Sequence, residues 1–361
     1  MRSYDMGNSQ LDQTIRDLVA AAADSDNQDL ISEMITTALK MHRDGATRGD
    51  LKLVNTALKE MRYSMLVFSR HTEPKVTMFG SARVTAEDPN YRMARDFAEK
   101  MVSRGWGVIT GAGPGIMEAG NLGAGPDASY GVKIRLPFEA ESNPHLLPER
   151  TVNFKYFFTR KLGFVKESAA FALFPGGFGT LDETFELFTL IQTGKSDLHP
   201  VVLLEAPGTD YWEPLIGFLT ERLAGRGMIS SPDLSLFSLH NDPDAAVEEI
   251  CSFYANFHSQ RYVRGRLVLR LNQAPDAATL DRLNDTYSDI LVSGSIEAVD
   301  PSDVEIRDGD ALDCARIGLE FDRRSFGRLR QLVGELNRLV ETPERVQAPA
   351  PFGADHADRE W

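Results

Sequence analysis

From Lys75 onward the chain alternates short, continuously apolar runs with amphipathic stretches, and nothing else in the sequence constrains its fold as strongly. Val76-Thr77-Met78-Phe79, Gly107-Val108-Ile109-Thr110, Tyr130-Gly131-Val132-Lys133-Ile134, Ala170-Phe171-Ala172-Leu173-Phe174 and Val201-Val202-Leu203-Leu204 read as strands. Between them, helical spacing falls at about 91–104, 114–122, 155–167, 181–192 and 212–224. Strands that are apolar throughout need cover on both faces, which is the situation of a parallel sheet joined by helical crossovers. The expected fold class is therefore α/β, a Rossmann-like doubly wound parallel sheet, with ligands bound beyond the carboxyl ends of its strands.

The flanks have a different texture. Leu30, Ile31, Met34, Ile35, Ala38 and Leu39 recur at three- and four-residue steps, as do Leu51, Val54, Leu58, Met61 and Met65. Residues 1–70 are thus expected to be helical, with an apolar stripe that either packs on the main domain or forms a subunit contact. The main domain is expected over 71–262. The run Arg261-Tyr262-Val263-Arg264-Gly265-Arg266 reads as a basic linker, whose arginines together with Arg270 either hold a regulatory phosphate or face water. Beyond it, strands at 267–271, 295–299 and 316–321 and helices at 277–290 and 324–340 give the order β-α-β-β-α, a small α+β appendage over 263–341. The polar tail 342–361, with Pro343, Pro349 and Pro351, is expected to be disordered.

Composition removes several functions. Thirty-nine basic residues against 53 acidic ones leave a net charge of −14, which opposes non-specific attraction to nucleic acid or anionic membranes. Any phosphate must be gripped locally. Cys251 and Cys314 lie far apart without metal-type spacing, so neither a disulfide framework nor a zinc site is expected. The first residues lack a basic segment followed by an apolar one, and no run approaches the ~18 apolar residues of a membrane span. A reducing, cytoplasmic location is the expectation.

Three strand ends finish in small residues. Phe79-Gly80-Ser81-Ala82-Arg83 offers the hydroxyl and amide of Ser81, although a plain tight turn explains it equally. Gly111-Ala112-Gly113-Pro114-Gly115-Ile116-Met117-Glu118 follows a strand and opens a helix, with Pro114 near its first turn. Glycines there let the backbone approach a phosphate, and a helix start supplies free amides. The dinucleotide fingerprint is absent, because Ile116 stands where that motif needs glycine.

The third, Pro175-Gly176-Gly177-Phe178-Gly179-Thr180-Leu181-Asp182-Glu183, can expose successive amides as an anion nest, with the Thr180 hydroxyl beside them. Thr180 and Glu183 also have the spacing of a capping box, which would make both residues helix-start chemistry. A phosphate at that helix start would meet the charges of Asp182 and Glu183 and would need a compensating cation. Arg160 and Lys161, on the helix preceding the same strand, are placed to supply one.

Together, Gly111 to Glu118, the Arg160-Lys161 pair and the PGGFGTLDE run resemble the LOG family, the cytokinin riboside 5′-monophosphate phosphoribohydrolases, over roughly residues 75–260. The resemblance implies hydrolysis of the base–ribose bond of a nucleoside 5′-monophosphate, with Arg160 and Glu183 catalytic. It implies substrate binding by Gly113, Gly115, Met117, Lys161, Gly176, Gly177, Gly179 and Thr180, which Ser81 and Gly111 join from the strand ends. No metal or cofactor is implied, and no lysine offers an anchor for pyridoxal phosphate, although family members have been labelled lysine decarboxylases. Pairing with Arg160 is expected to favour the ionised form of Glu183. The first glycine loop, Gly-Ala-Gly-Pro-Gly, and Asp182-Glu183 in place of a Glu-Glu pair depart from the family pattern. With its extra segments the chain resembles a long-form member, expected to be a homodimer or higher homo-oligomer. The base could be an N6-modified adenine or that of a plain monophosphate such as AMP. The competing reading is a non-catalytic nucleotide- or cofactor-binding carrier of the same fold.

Overall fold

The computed structural model of the protein describes residues 4–22, 25, 27–134 and 143–345. Residues 346–361 of the expected tail lie outside the described residues. The chain divides into two compact units, Met1–Arg62 and Tyr63–Trp361.

In the first unit, α1 (Ser9–Ala22) and α2 (Gln28–Arg43) pack on one another, and α3 (Arg48–Phe68) follows in the chain. Ile15, Val19 and Thr36 are buried, whereas Leu30, Ile31, Met34, Leu39, Leu51, Val54 and Leu58 are exposed.

Among its described residues the second unit holds two sheets. In the larger, β1 (Lys75–Phe79), α4 (Pro89–Ser103), β2 (Gly107–Thr110), α5 (Ile116–Ala124), β3 (Ser129–Ile134), β4 (Thr151–Phe154), α6 (Phe157–Glu167), β5 (Ala170–Leu173), α7 (Phe178–Gln192), β6 (Val201–Leu204), α8 (Trp212–Phe218), β7 (Ser238–His240) and α9 (Pro243–Phe253) follow in chain order. Seven parallel strands lie in the order β4-β3-β2-β1-β5-β6-β7. Every residue of β1, β2, β5 and β6 is buried, the two-sided cover that their unbroken apolar runs require. The expected Rossmann-like class holds. The order runs outward from β1 on one side and from β5 on the other, so the topological switch point, where such sheets bind ligands, falls between β1 and β5.

The smaller sheet is antiparallel, in the order β10-β11-β9-β8, from β8 (Phe257–Val263), β9 (Arg266–Leu271), β10 (Leu291–Ala298) and β11 (Ala315–Phe321). Helices α10 (Ala277–Tyr287), α11 (Asp303–Asp308) and α12 (Phe326–Asn337) complete the expected α+β appendage. Leu267, Leu269, Leu271, Ile317 and Leu319 are buried, as are Leu329, Leu332, Val333 and Leu336 of α12. Helix α12 also locks onto the larger layer: Gly327 packs so closely on the Pro232 carbonyl that a Cβ would collide with it, and Arg330 pairs with Glu249 at 2.8 Å.

The basic run is a hairpin rather than a linker. Arg264 and Gly265, both with positive φ (51° and 90°), make the tight turn between β8 and β9. Arg264 faces water, but Arg261, Arg270 and Arg316 are buried against Glu305 and Asp310. Strands β4, β7 and β8 escaped the sequence reading. The first two are four and three residues long, and charged residues masked the third.

Candidate active site

Three loops meet at the switch point, and the backbone of Ser81 joins them. Its N–H donates to the Pro175 carbonyl at 2.9 Å, and its own carbonyl accepts from Ile116 N at 3.0 Å, at the start of α5. Such an approach needs small residues. A Cβ on Gly80 would strike the Ile116 side chain, and one on Gly115, which has φ +69°, would strike the Ser81 carbonyl. Helix α5 therefore starts at Ile116 with Gly115 as its N-cap, two residues after the proline expected to open it.

At the first glycine loop the cation is Arg160. Its Nε donates to the Val132 carbonyl at 2.9 Å, and its guanidinium lies over Gly111, where a Cβ would collide with both Arg160 Nη2 and Met117 Sδ. Met117 likewise fills the space that a side chain on Gly113 would need. Gly111, Gly113, Gly115, Met117 and Arg160 are thus gathered on one side of the crevice.

The PGG loop forms the other side. Helix α7 starts at Phe178 with Gly177 as its N-cap, so Thr180 sits inside the first turn and the capping-box reading fails. Thr180 Oγ1 lies instead against Gly176, at a spot where a Cβ would collide with it. The N–H groups of Thr180 and Leu181 are already bonded to the Gly177 carbonyl, at 3.0 and 3.1 Å. Those of Phe178 and Gly179 come before these bonds, and a helix start leaves such donors for an outside acceptor. Nothing lies within 4 Å of a Cβ placed on Gly177 or Gly179, so a ligand has room to reach the backbone.

Glu183 is one turn further into α7. It is buried, with 7% of its surface exposed, and burial pushes its carboxyl up to about 7. Lys161 and Arg160 pull the other way, while Glu186 and Asp182 push it further up. Arg160 does favour the ionised form, as expected, but desolvation outweighs it and Lys161 together. Lys161 is brought to it directly. Its Nζ lies 3.5 Å from Glu183, 2.9 Å from Asp182 and 2.5 Å from Glu186. Sequence reading missed Glu186, although its three-residue spacing from Glu183 puts it on the same helical face. It also missed Tyr211, whose hydroxyl donates to the Gly176 carbonyl at 2.7 Å from a loop without any motif. Among the described residues no group of three His, Cys, Asp or Glu side chains could hold a metal ion, and no helix is long and apolar enough to cross a membrane.

Residues 112–250 match the family model described as "Possible lysine decarboxylase". The chain is 33% identical over 91 residues to a probable cytokinin riboside 5′-monophosphate phosphoribohydrolase, LOGL2, of Oryza sativa subsp. japonica, covering 25% of this chain and 36% of the relative. It is 41% identical over 71 residues to the cytokinin riboside 5′-monophosphate phosphoribohydrolase LOG1 of Arabidopsis thaliana, covering 20% of this chain and 32% of the relative. Over these stretches the chain is similar to LOG phosphoribohydrolases. Its match spans about a third of the length of these LOG relatives. Among solved structures, the molybdenum cofactor binding protein from Rippkaea orientalis is similar at 20% identity and a TM-score of 0.37, over 50% of this chain and 98% of that one. The molybdenum cofactor carrier protein from Chlamydomonas reinhardtii is similar at 22% identity and a TM-score of 0.33, over 49% of this chain and 98% of that one.

Proposed function

We propose that this protein is a member of the LOG family that hydrolyses the N-glycosidic bond of a nucleoside 5′-monophosphate, with an N6-modified adenine or AMP-like base, releasing free base and ribose 5-phosphate. The observation that carries the reading is a buried carboxylate, Glu183, one turn inside the helix whose glycine-rich start leaves amides for an anion. A 5′-phosphate on the amides of Phe178 and Gly179 sets the ribose beside that carboxylate. As the C1′–N bond breaks, positive charge grows on the ribose, and ionised Glu183 stabilises it. Water forms the new C1′–O bond and gives a proton to Glu183, while the bonding electron pair leaves with the base, which then takes that proton and returns Glu183 to its ionised form. Arg160, over the first glycine loop, offers charge and donors to the substrate, and Lys161 holds Glu183 in place. The enzyme is read as cytoplasmic and as a homo-oligomer. The test is incubation of the purified protein with nucleoside monophosphates while free base and ribose 5-phosphate are followed by chromatography. Binding without release supports the carrier reading instead.

A further inference from the structure

The turn Pro175-Gly176-Gly177 leads directly into the Phe178 and Gly179 amides at the start of α7, and its two successive glycines leave the peptides between them free to flip. In a trans peptide the C=O and the following N–H point in opposite directions, so fixing one fixes the other. Ser81 N–H fixes the Pro175 carbonyl at 2.9 Å and hence the Gly176 N–H. The next peptide is fixed by Tyr211, whose hydroxyl donates to the Gly176 carbonyl at 2.7 Å and so sets the direction of the Gly177 N–H. Without that bond the Gly176–Gly177 peptide is free to flip and to carry the adjoining Phe178 and Gly179 amides out of line.

Tyr211 is itself firmly held. Glu205, buried at the end of β6, accepts from Tyr211 N at 2.6 Å, from Thr209 Oγ1 at 3.2 Å and from Trp212 N at 3.4 Å. The Tyr211 ring meets Trp212 edge-on at 4.8 Å, and the fully buried Trp212 donates through Nε1 to the Leu204 carbonyl at 3.1 Å. A buried carboxylate and a buried indole thus serve to aim one phenol at one carbonyl.

We infer that Tyr211 is a positioning residue that sets the affinity of the PGG turn for the 5′-phosphate without taking part in bond cleavage. This rests on the hydrolase reading for the identity of the ligand, but not for its test. Ribose 5-phosphate binding to the full chain, measured by calorimetry, needs the turn and no turnover. Tyr211→Phe is expected to weaken it about tenfold, the effect of losing one well-placed hydrogen bond that orders a binding group. In turnover the same variant raises KM for the monophosphate by a similar factor and leaves kcat within about twofold, a split that general loosening of the fold would not give. Its melting temperature is read on the same preparations. Equal ribose 5-phosphate affinity in wild type and Tyr211→Phe overturns the assignment, as does a fall in kcat with KM unchanged. A wild-type protein that binds ribose 5-phosphate but releases no base removes the hydrolase reading and leaves the role of Tyr211 standing. One that binds no ribose 5-phosphate removes both.

Discussion

Lys161 lies 3.5 Å from the carboxylate of Glu183 yet sits closer to Asp182 and Glu186, so a cation in direct contact with the proposed catalytic group is shared among three carboxylates. Sharing weakens its hold on Glu183. Burial then prevails and keeps the carboxyl up at about 7, in the range where a group can both take and give a proton.

Replacing Glu183 with Gln removes the charge and keeps the shape. Turnover is expected to fall by roughly 10²–10⁴-fold, the usual worth of a positioned acid or base, while ribose 5-phosphate still binds. The variant is also expected to be more stable than wild type at pH 8. A carboxyl raised from 4.5 to about 7 by folding contributes its full stability below 4.5 and loses it as pH rises through 7, a loss that Gln does not suffer. Thermal melts at pH 5 and pH 8 check the sign: the advantage of the variant should appear only at the higher pH.

The rate itself should depend on pH in the opposite sense. Because the proposed step needs ionised Glu183, kcat/KM should drop as pH falls through about 7. Lys161 lowers that value, so Lys161→Met is expected to move the acid limb upward by about one unit. A limb that stays in place would show that another group titrates.

Gly111→Ala is expected to displace the Arg160 guanidinium and the Met117 thioether, both of which occupy the space of the new methyl group. Overpacking of this kind costs about 1–3 kcal/mol. Activity should fall further than the loss of stability accounts for, because Arg160 moves with it. Comparing initial rates well below the melting transition separates the two effects.

The appendage has its own electrostatic lock. Glu305, 1% exposed, pairs with Arg270 at 2.7 Å and Arg316 at 3.2 Å and caps α11 through Ser302. Burial pushes its carboxyl up, but the hydrogen bonds from Ser302 and Arg270 prevail and hold it at about 2. Its contribution to stability is present above 4.5 and is lost as pH falls toward 2. Glu305→Gln leaves two buried guanidinium groups undercompensated and should cost about 3–5 kcal/mol in denaturant titrations at pH 7. At pH 2 the difference from wild type should shrink.

The sheet and both glycine loops were legible because they rest on local patterns: unbroken apolar runs at Val76, Val108, Ala170 and Val201, and glycines wherever backbone meets backbone. The approach of Lys161 to Glu183 was readable from chain order, because the helix that carries Lys161 precedes the strand leading into the PGG turn. What could not be read depended on distance. The helix start at Phe178 rather than near Thr180 is fixed by the turn that Ser81 and Tyr211 hold from other strands. The upward displacement of Glu183 comes from burial, which a motif does not encode. Strand β8 was hidden because Arg261, a charge that usually marks solvent, is buried against Asp310.

Stoichiometry of products is the most direct test of the hydrolase reading. Purified protein is incubated with AMP, its N6-isopentenyl derivative and the other common nucleoside monophosphates, and both products are quantified by chromatography. The account predicts equimolar free base and ribose 5-phosphate from at least one purine monophosphate, abolished by Glu183→Gln. Release of neither product from any monophosphate, by a protein that binds ribose 5-phosphate, would contradict it.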